Sequence, residues 1–163
     1  MAVYYLETSA LVKRYKTELG SELVSELFEG KSPSEIFITS QFTLVEIEAT
    51  LARALKARLL KSKAYQAILG LLSVDLVETV VIQPISGALI QDAARLARAY
   101  ALRASDAVHV ATILRISRTE LATVIPFTSD DELLHVMKAE GLESLDPRQT
   151  DAPSKLRRLR RRG

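Results

Sequence analysis

Short apolar runs and longer stretches of helical periodicity alternate along this chain. Val3–Leu6, Ile36–Thr39, Thr79–Ile82 and Val124–Phe127 are brief, apolar and rich in β-branched or aromatic residues, which predicts strands. Glu143–Leu145, just before Asp146-Pro147, is a fifth candidate. Helical periodicity covers Ser9–Lys16, Ser21–Glu29, Thr43–Ala57, Lys61–Val77, Gly87–Ala99, Ala104–Ile116 and Glu132–Ala139. Strands alternating with helices predict an α/β protein with a parallel sheet covered on both faces. Such sheets place ligands beyond the carboxyl ends of their strands, near a switch in strand order, so chemistry is expected there. No internal repeat or interdomain linker interrupts the pattern, and Pro33 and Pro84 fall in short connections. After Pro147 the pattern gives way to a polar tail. The expected organisation is one domain over residues 1–147 and a basic, disordered tail over 148–163.

Composition narrows the class. At 163 residues the chain suits a single domain, long enough to bury a core without staples. Hydrophobic residues make up 48% and charged residues 26%, an ordinary globular balance. With no cysteine, disulfide frameworks and zinc–thiolate sites are excluded. No apolar run is long enough to span a bilayer, and the N-terminus lacks the layout of a signal peptide, so the expectation is a cytoplasmic protein without a membrane partner. The net charge of +2 conceals an asymmetry. Lys155, Arg157, Arg158, Arg160, Arg161 and Arg162 crowd the C-terminus, and removing these six leaves 16 basic against 20 acidic residues. A cluster of that kind attracts phosphate backbones without reading sequence.

The available chemistry is limited. His109 and His135 are the only histidines, and there is no G-x-S-x-G elbow, G-x-G-x-x-G turn or phosphate-binding loop ending in Lys-Ser/Thr. Carboxylates remain. Glu7 follows the first strand directly, where it would point into the expected cleft, or simply benefit from the positive end of a helix capped by Thr8 or Ser9. Asp106 sits near the start of Ala104–Leu114, a helix apolar on nearly every face and therefore expected to be buried. An ionised carboxylate there must be paired, capping or metal-bound. His109, one turn on, reads as a satisfied core residue. Asp130 lies past the strand Val124–Phe127, where Ser129 and Glu132 also have capping-box spacing. In Thr43–Ala57, the stripe Leu44, Ile47, Leu51 and Leu55 nominates Glu48 as the buried acid and leaves Glu46 exposed near Arg53.

Taken together, these segments resemble the PIN-domain family, specifically the VapC-like toxin ribonucleases. Tyr5-Leu6-Glu7-Thr8-Ser9-Ala10-Leu11-Val12-Lys13 is similar to the family's opening motif, and Val45-Glu46-Ile47-Glu48-Ala49-Thr50-Leu51-Ala52-Arg53 to its second. Arg103-Ala104-Ser105-Asp106-Ala107-Val108-His109-Val110-Ala111 resembles the third, and Phe127-Thr128-Ser129-Asp130, followed by Leu133 and Gly141-Leu142, the fourth. The resemblance runs in order from Val3 to about Pro147. It implies a three-layer α/β/α fold with a parallel sheet of about five strands in the order 3-2-1-4-5. It also implies catalytic acids Glu7, Glu46, Asp106 and Asp130, which selects Glu46 over Glu48 and raises Asp130 above a simple cap. Glu7, Asp106 and Asp130 would hold Mg²⁺ or Mn²⁺, the hard ions that oxygen ligands favour. Thr8, Ser9 and Thr128 would orient the carboxylates. The implied activity is hydrolysis of RNA by a type II toxin, with a cognate antitoxin and a homodimer as partners. Lys13, Arg14, Arg103, Arg157, Arg158 and Arg160 are the candidates for holding phosphates.

One position departs from the family, whose first acid is nearly always Asp where this chain has Glu7. Glutamate keeps the charge but is one methylene longer, and displacing a reacting group by ~1 Å can cost on the order of 100-fold in rate. Three readings follow: a tolerated ligand, a weakened nuclease, or an inactive RNA-binding or regulatory module. A phosphoacceptor domain with a strand-end acid is a rival class, for which Glu7 is a poor acceptor.

Overall fold

The computed structural model describes residues 2–119 and 123–161. Strands β1 (Ala2–Leu6), β2 (Glu35–Ser40), β3 (Val80–Gln83) and β4 (Thr123–Phe127) form one sheet in the order β3-β2-β1-β4. Every pairing is parallel. The helices are α1 (Thr8–Leu11), α2 (Ser21–Glu29), α3 (Gln41–Lys56), α4 (Ser62–Glu78), α5 (Gly87–Tyr100), α6 (Ala104–Thr119), α7 (Asp131–Ala139) and α8 (Ala152–Arg160).

The central strand explains the layering. All five residues of β1 are buried, as the uninterrupted run Ala2-Val3-Tyr4-Tyr5-Leu6 requires of a strand covered on both faces. Because side chains alternate, Ala2, Tyr4 and Leu6 enter one core and Val3 and Tyr5 the other. The first core packs against α1, α2, α3, α4 and α8, with Tyr4 edge-on to Phe37 and Phe127. The second packs against α5, α6 and α7. This is the expected three-layer α/β/α arrangement.

Three expectations change in detail. The fifth strand reduces to a single parallel bridge, Phe127 to Leu145, so among the described residues the sheet has four strands rather than five. The first predicted helix shortens to α1 followed by a 3₁₀ turn, Val12–Arg14. The tail expected to lack structure forms α8, with Leu156 and Leu159 buried in the first core. Its charges hid a period: Ala152, Leu156 and Leu159 recur at helical spacing and point inward while the basic residues lie between them. Gly20, with a φ of 93°, lets the backbone of Pro147 lie against it, closer than any Cβ would permit. Arg162, grouped with the basic tail, lies outside the described residues.

Candidate active site

Parallel pairing places the four acids together. Leu6 pairs with Phe127, so the residues leaving β1 and β4 run side by side. Glu7 N–H donates to Phe127 O at 3.0 Å, and Thr128 Oγ1 donates to Glu7 Oε2 at 2.9 Å. Helix α3 starts directly after β2 and brings Glu46, and α6 brings Asp106 from the opposite layer. Glu7, Glu46, Asp106 and Asp130 all line one cleft of about 600 Å³ at the carboxyl end of the sheet.

Glu7 is both cap and cleft residue. Its Oε2 accepts the Ser9 backbone N–H at 3.0 Å, together with the Ser9 and Thr128 hydroxyls. Its Oε1 stands 4.0 Å from His109 Nε2. One oxygen is therefore fastened and the other lies on the His109 side. Burial pushes this carboxyl above its ordinary value, although His109, Ser9 and Thr128 act against the rise.

Glu46 turns toward the cleft, while Glu48 is exposed and accepts from Tyr65. Helical periodicity nominated the wrong glutamate because the line of α3 that is fully buried is Thr43, Ile47 and Leu51. Thr43, held by Thr39 at 2.8 Å, occupies an inward position that a hydrophobic count overlooks, and Leu44 and Leu55 are only half-buried. The Glu46 Oε2 accepts from Thr8 Oγ1 and lies 2.8 Å from His109 Nε2. Burial alone would raise this carboxyl, but His109 and Thr8 bring it below its ordinary value.

Asp106 is 8% exposed at the start of the buried helix α6. Ser105 Oγ donates to Oδ1 at 3.2 Å, whereas Oδ2 is buried without a hydrogen-bond partner among the described residues. Arg103 Nε approaches Oδ2 to 3.7 Å from an exposed position. Burial, followed by the charge of Asp130, raises this carboxyl. Asp130 caps α7, its Oδ1 accepting from Glu132 N–H at 2.9 Å and Leu133 N–H at 3.1 Å. It takes the capping position that the spacing assigned to Ser129.

His109, read from sequence as a core residue, is fully buried and also touches the site. Its Nε2, one oxygen of Glu7 and one of Glu46 lie within 4.8 Å of one another. Burial opposes its protonation, but Glu46 and Glu7 outweigh that and hold it above its ordinary value. The available signal was its position three residues after Asp106, on the same helical face.

The donor set fits a hard divalent cation. It is dominated by carboxylate oxygens, two of the carboxyls are raised by burial, and the unpartnered Oδ2 of Asp106 offers a ligand atom. Glu7, Glu46 and Asp106, with Asp130 beside them, are the residues that could hold it.

The expected phosphate-holding residues separate. Lys13 and Arg103 line the cleft, although Lys13 is buried against Glu18 at 2.6 Å. Arg53 and Arg148 join them; Arg148 is engaged by Asp146 and Asp131. Arg14 instead faces Asp75 and lies over the Phe28 ring. In the tail, Arg158 pairs with Glu143, and Arg160 pairs with Glu35, the first residue of β2 and so at the opposite end of the sheet. Arg157 is exposed on the same helix.

This fold has named counterparts. The model for the PIN domain matches residues 4–138, and the chain belongs to that family. Ribonuclease VapC45 of Mycobacterium tuberculosis (strain CDC 1551 / Oshkosh) and Ribonuclease VapC49 of Mycobacterium tuberculosis (strain ATCC 25618 / H37Rv) are each 32% identical over 133 residues, covering 77% of this chain and 84% of the relative. A chain from a structure titled "Toxin-antitoxin complex from Klebsiella pneumoniae" shares the fold with a TM-score of 0.55 at 18% identity, covering 88% of this chain and 97% of that one. PAE2754 from Pyrobaculum aerophilum gives 0.57 at 19% identity, covering 99% of both chains.

Proposed function

We propose that this protein is a metal-dependent endoribonuclease, the toxin of a type II toxin–antitoxin pair, acting in the cytoplasm as a homodimer. The observation that carries the catalytic reading is the meeting of Glu7, Glu46, Asp106 and Asp130 in one cleft, where a buried oxygen of Asp106 has no hydrogen-bond partner among the described residues. The named ribonucleases at 32% identity support RNA as substrate, and the solved toxin–antitoxin neighbour supports a protein partner.

Glu7 and Asp106 would hold Mg²⁺ or Mn²⁺, with Asp130 bound directly or through water and Glu46 holding a second ion or orienting the attacking water. When bound, such an ion supplies charge stabilisation at a phosphate oxygen and acidifies a coordinated water. The protein's own part is to keep the ligands still. Ser9 and Thr128 fasten one oxygen of Glu7, and Thr8 fastens one of Glu46. Arg53 and Arg103, both exposed at the cleft, would hold the RNA backbone.

Glu7 serves here as a built ligand, because its longer side chain reaches its donors and still leaves Oε1 toward the cleft. The test is cleavage of a defined RNA pool with Mg²⁺ or Mn²⁺ by the parent, Asp106→Asn and Glu7→Asp. Loss of cleavage in Asp106→Asn is expected, and Glu7→Asp should be no faster than the parent. Equal cutting by Asp106→Asn would refute the assignment, whereas a faster Glu7→Asp would show that Glu7 is a handicap.

A further inference from the structure

His109 belongs to none of the four acid positions, yet both of its ring nitrogens are engaged. Nδ1 lies 2.7 Å from the Tyr5 hydroxyl, and Nε2 lies 2.8 Å from Glu46 Oε2. The Tyr5 ring meets the imidazole edge-on at 6.0 Å. Tyr5 lies on β1 two residues before Glu7, His109 on α6 and Glu46 on α3, so this line of contacts ties the sheet to both helical layers.

We propose that His109, fixed by Tyr5, is a positioning residue that donates its Nε2–H to Glu46 and sets that carboxylate for metal binding. This rests on the nuclease reading above and adds a residue to it. The direction of the bond follows from the donor inventory. The Glu46 carboxylate can only accept, so the Nε2 lying 2.8 Å from it carries the proton, and in a neutral ring Nδ1 then accepts from the Tyr5 hydroxyl. A protonated ring carries a proton on Nε2 as well. In both states Nε2 donates and Glu46 accepts, which leaves this nitrogen no lone pair for a metal despite its place beside the two glutamates. Thr8 donates to the same oxygen, so Glu46 is held from α1 and α6 together. Outer donors of this kind orient metal ligands, and losing one typically costs on the order of 10–100-fold in affinity or activity.

The experiment is Mn²⁺ titration calorimetry on the full chain, with RNA cleavage measured alongside. His109→Gln keeps an amide N–H within reach of Glu46, whereas His109→Asn places its amide on the Tyr5 side and falls short. The Gln variant is expected to bind Mn²⁺ nearly as the parent does, and the Asn variant on the order of 10–100-fold more weakly. Its cleavage loss should appear in kcat at saturating RNA rather than in KM. In a Glu46→Ala background the two variants should bind alike, because the effect acts through that carboxylate. Tyr5→Phe preserves the ring packing and removes only the hydroxyl; it should also weaken Mn²⁺ binding. Electron spin-echo spectra of the Mn²⁺-loaded parent should lack a directly bound imidazole nitrogen. Unchanged affinity in both His109→Asn and Tyr5→Phe would overturn the inference. So would a Gln–Asn difference that survives Glu46→Ala, or a directly bound nitrogen. A parent chain that binds no Mn²⁺ would instead bring down the metal reading, and this inference with it.

Discussion

At the scale of single residues, the site resolves a choice that sequence poses as exclusive. Glu7 and Asp130 each read as either an acid favoured at a helix start or a functional acid, and each is a cap that also lines the cleft, because a carboxylate has two oxygens. Spacing puts both acids at helix starts, gives the caps to their serine and threonine neighbours, and does not show where a second oxygen points. Asp106 is legible for a different reason: an acid near the start of an all-apolar helix is conspicuous, and one of its oxygens has no hydrogen-bond partner among the described residues. That isolation carries a cost. Asp106→Asn should remove activity and raise the stability of the metal-free protein by on the order of 1 kcal/mol, roughly 2–4 °C in Tm for a domain of this size. Scanning calorimetry in a chelator checks it.

The pH dependence also belongs to the residues. Glu7 and Asp106 are raised above ordinary carboxylates, so the folded state binds their protons more tightly than the unfolded chain does. Stability from these groups falls as pH rises from the ordinary carboxylate range through their folded values. His109 is raised too, so its contribution is complete below the ordinary histidine value and is lost as pH climbs through the folded one. Glu46 is lowered and acts the opposite way, losing its contribution only on acidification. The metal-free protein should therefore melt lower at about pH 8 than at about pH 6, and Mn²⁺ should recover more stability at the higher value. Thermal melts at the two pH values, with and without Mn²⁺, measure both.

At the scale of elements, the strands were readable almost to the residue because each is a short apolar run between breakers. Helix α3 was readable as a helix but not in its facing. Its inward line includes Thr43, whose hydroxyl is satisfied by Thr39, and hydrophobicity alone turns the helix toward the wrong glutamate. Only the resemblance of the segment to a known motif selected Glu46. Charge density hides the helix in the tail, since the inward residues of α8 lie among basic ones. Leu156→Ala, which empties a fully buried position in the first core, should cost about 2–5 kcal/mol. A denaturant melt reads that loss directly. Because Arg158 and Arg160 are engaged with Glu143 and Glu35, Arg158→Ala should weaken RNA binding less than Arg103→Ala at the cleft, as measured by filter binding of a catalytically silent variant.

At the scale of the molecule, alternating strands and helices specify the layers, and the order β3-β2-β1-β4 brings the ends of β1 and β4 side by side. That adjacency gathers acids that are far apart along the chain. It was inferred from family likeness, because hydrophobic periodicity identifies strands but does not say which pair. In the proposed function these carboxylates hold a divalent ion used to cleave RNA. Its most direct test is metal-dependent cleavage of a defined RNA pool by the purified chain, with Asp106→Asn beside it and Mn²⁺ binding followed in the same samples. A chelator should abolish cleavage and Mn²⁺ restore it, and the variant should lack cleavage together with most of its Mn²⁺ affinity. Cleavage that persists in the chelator, or in Asp106→Asn at the parent's rate, would contradict it.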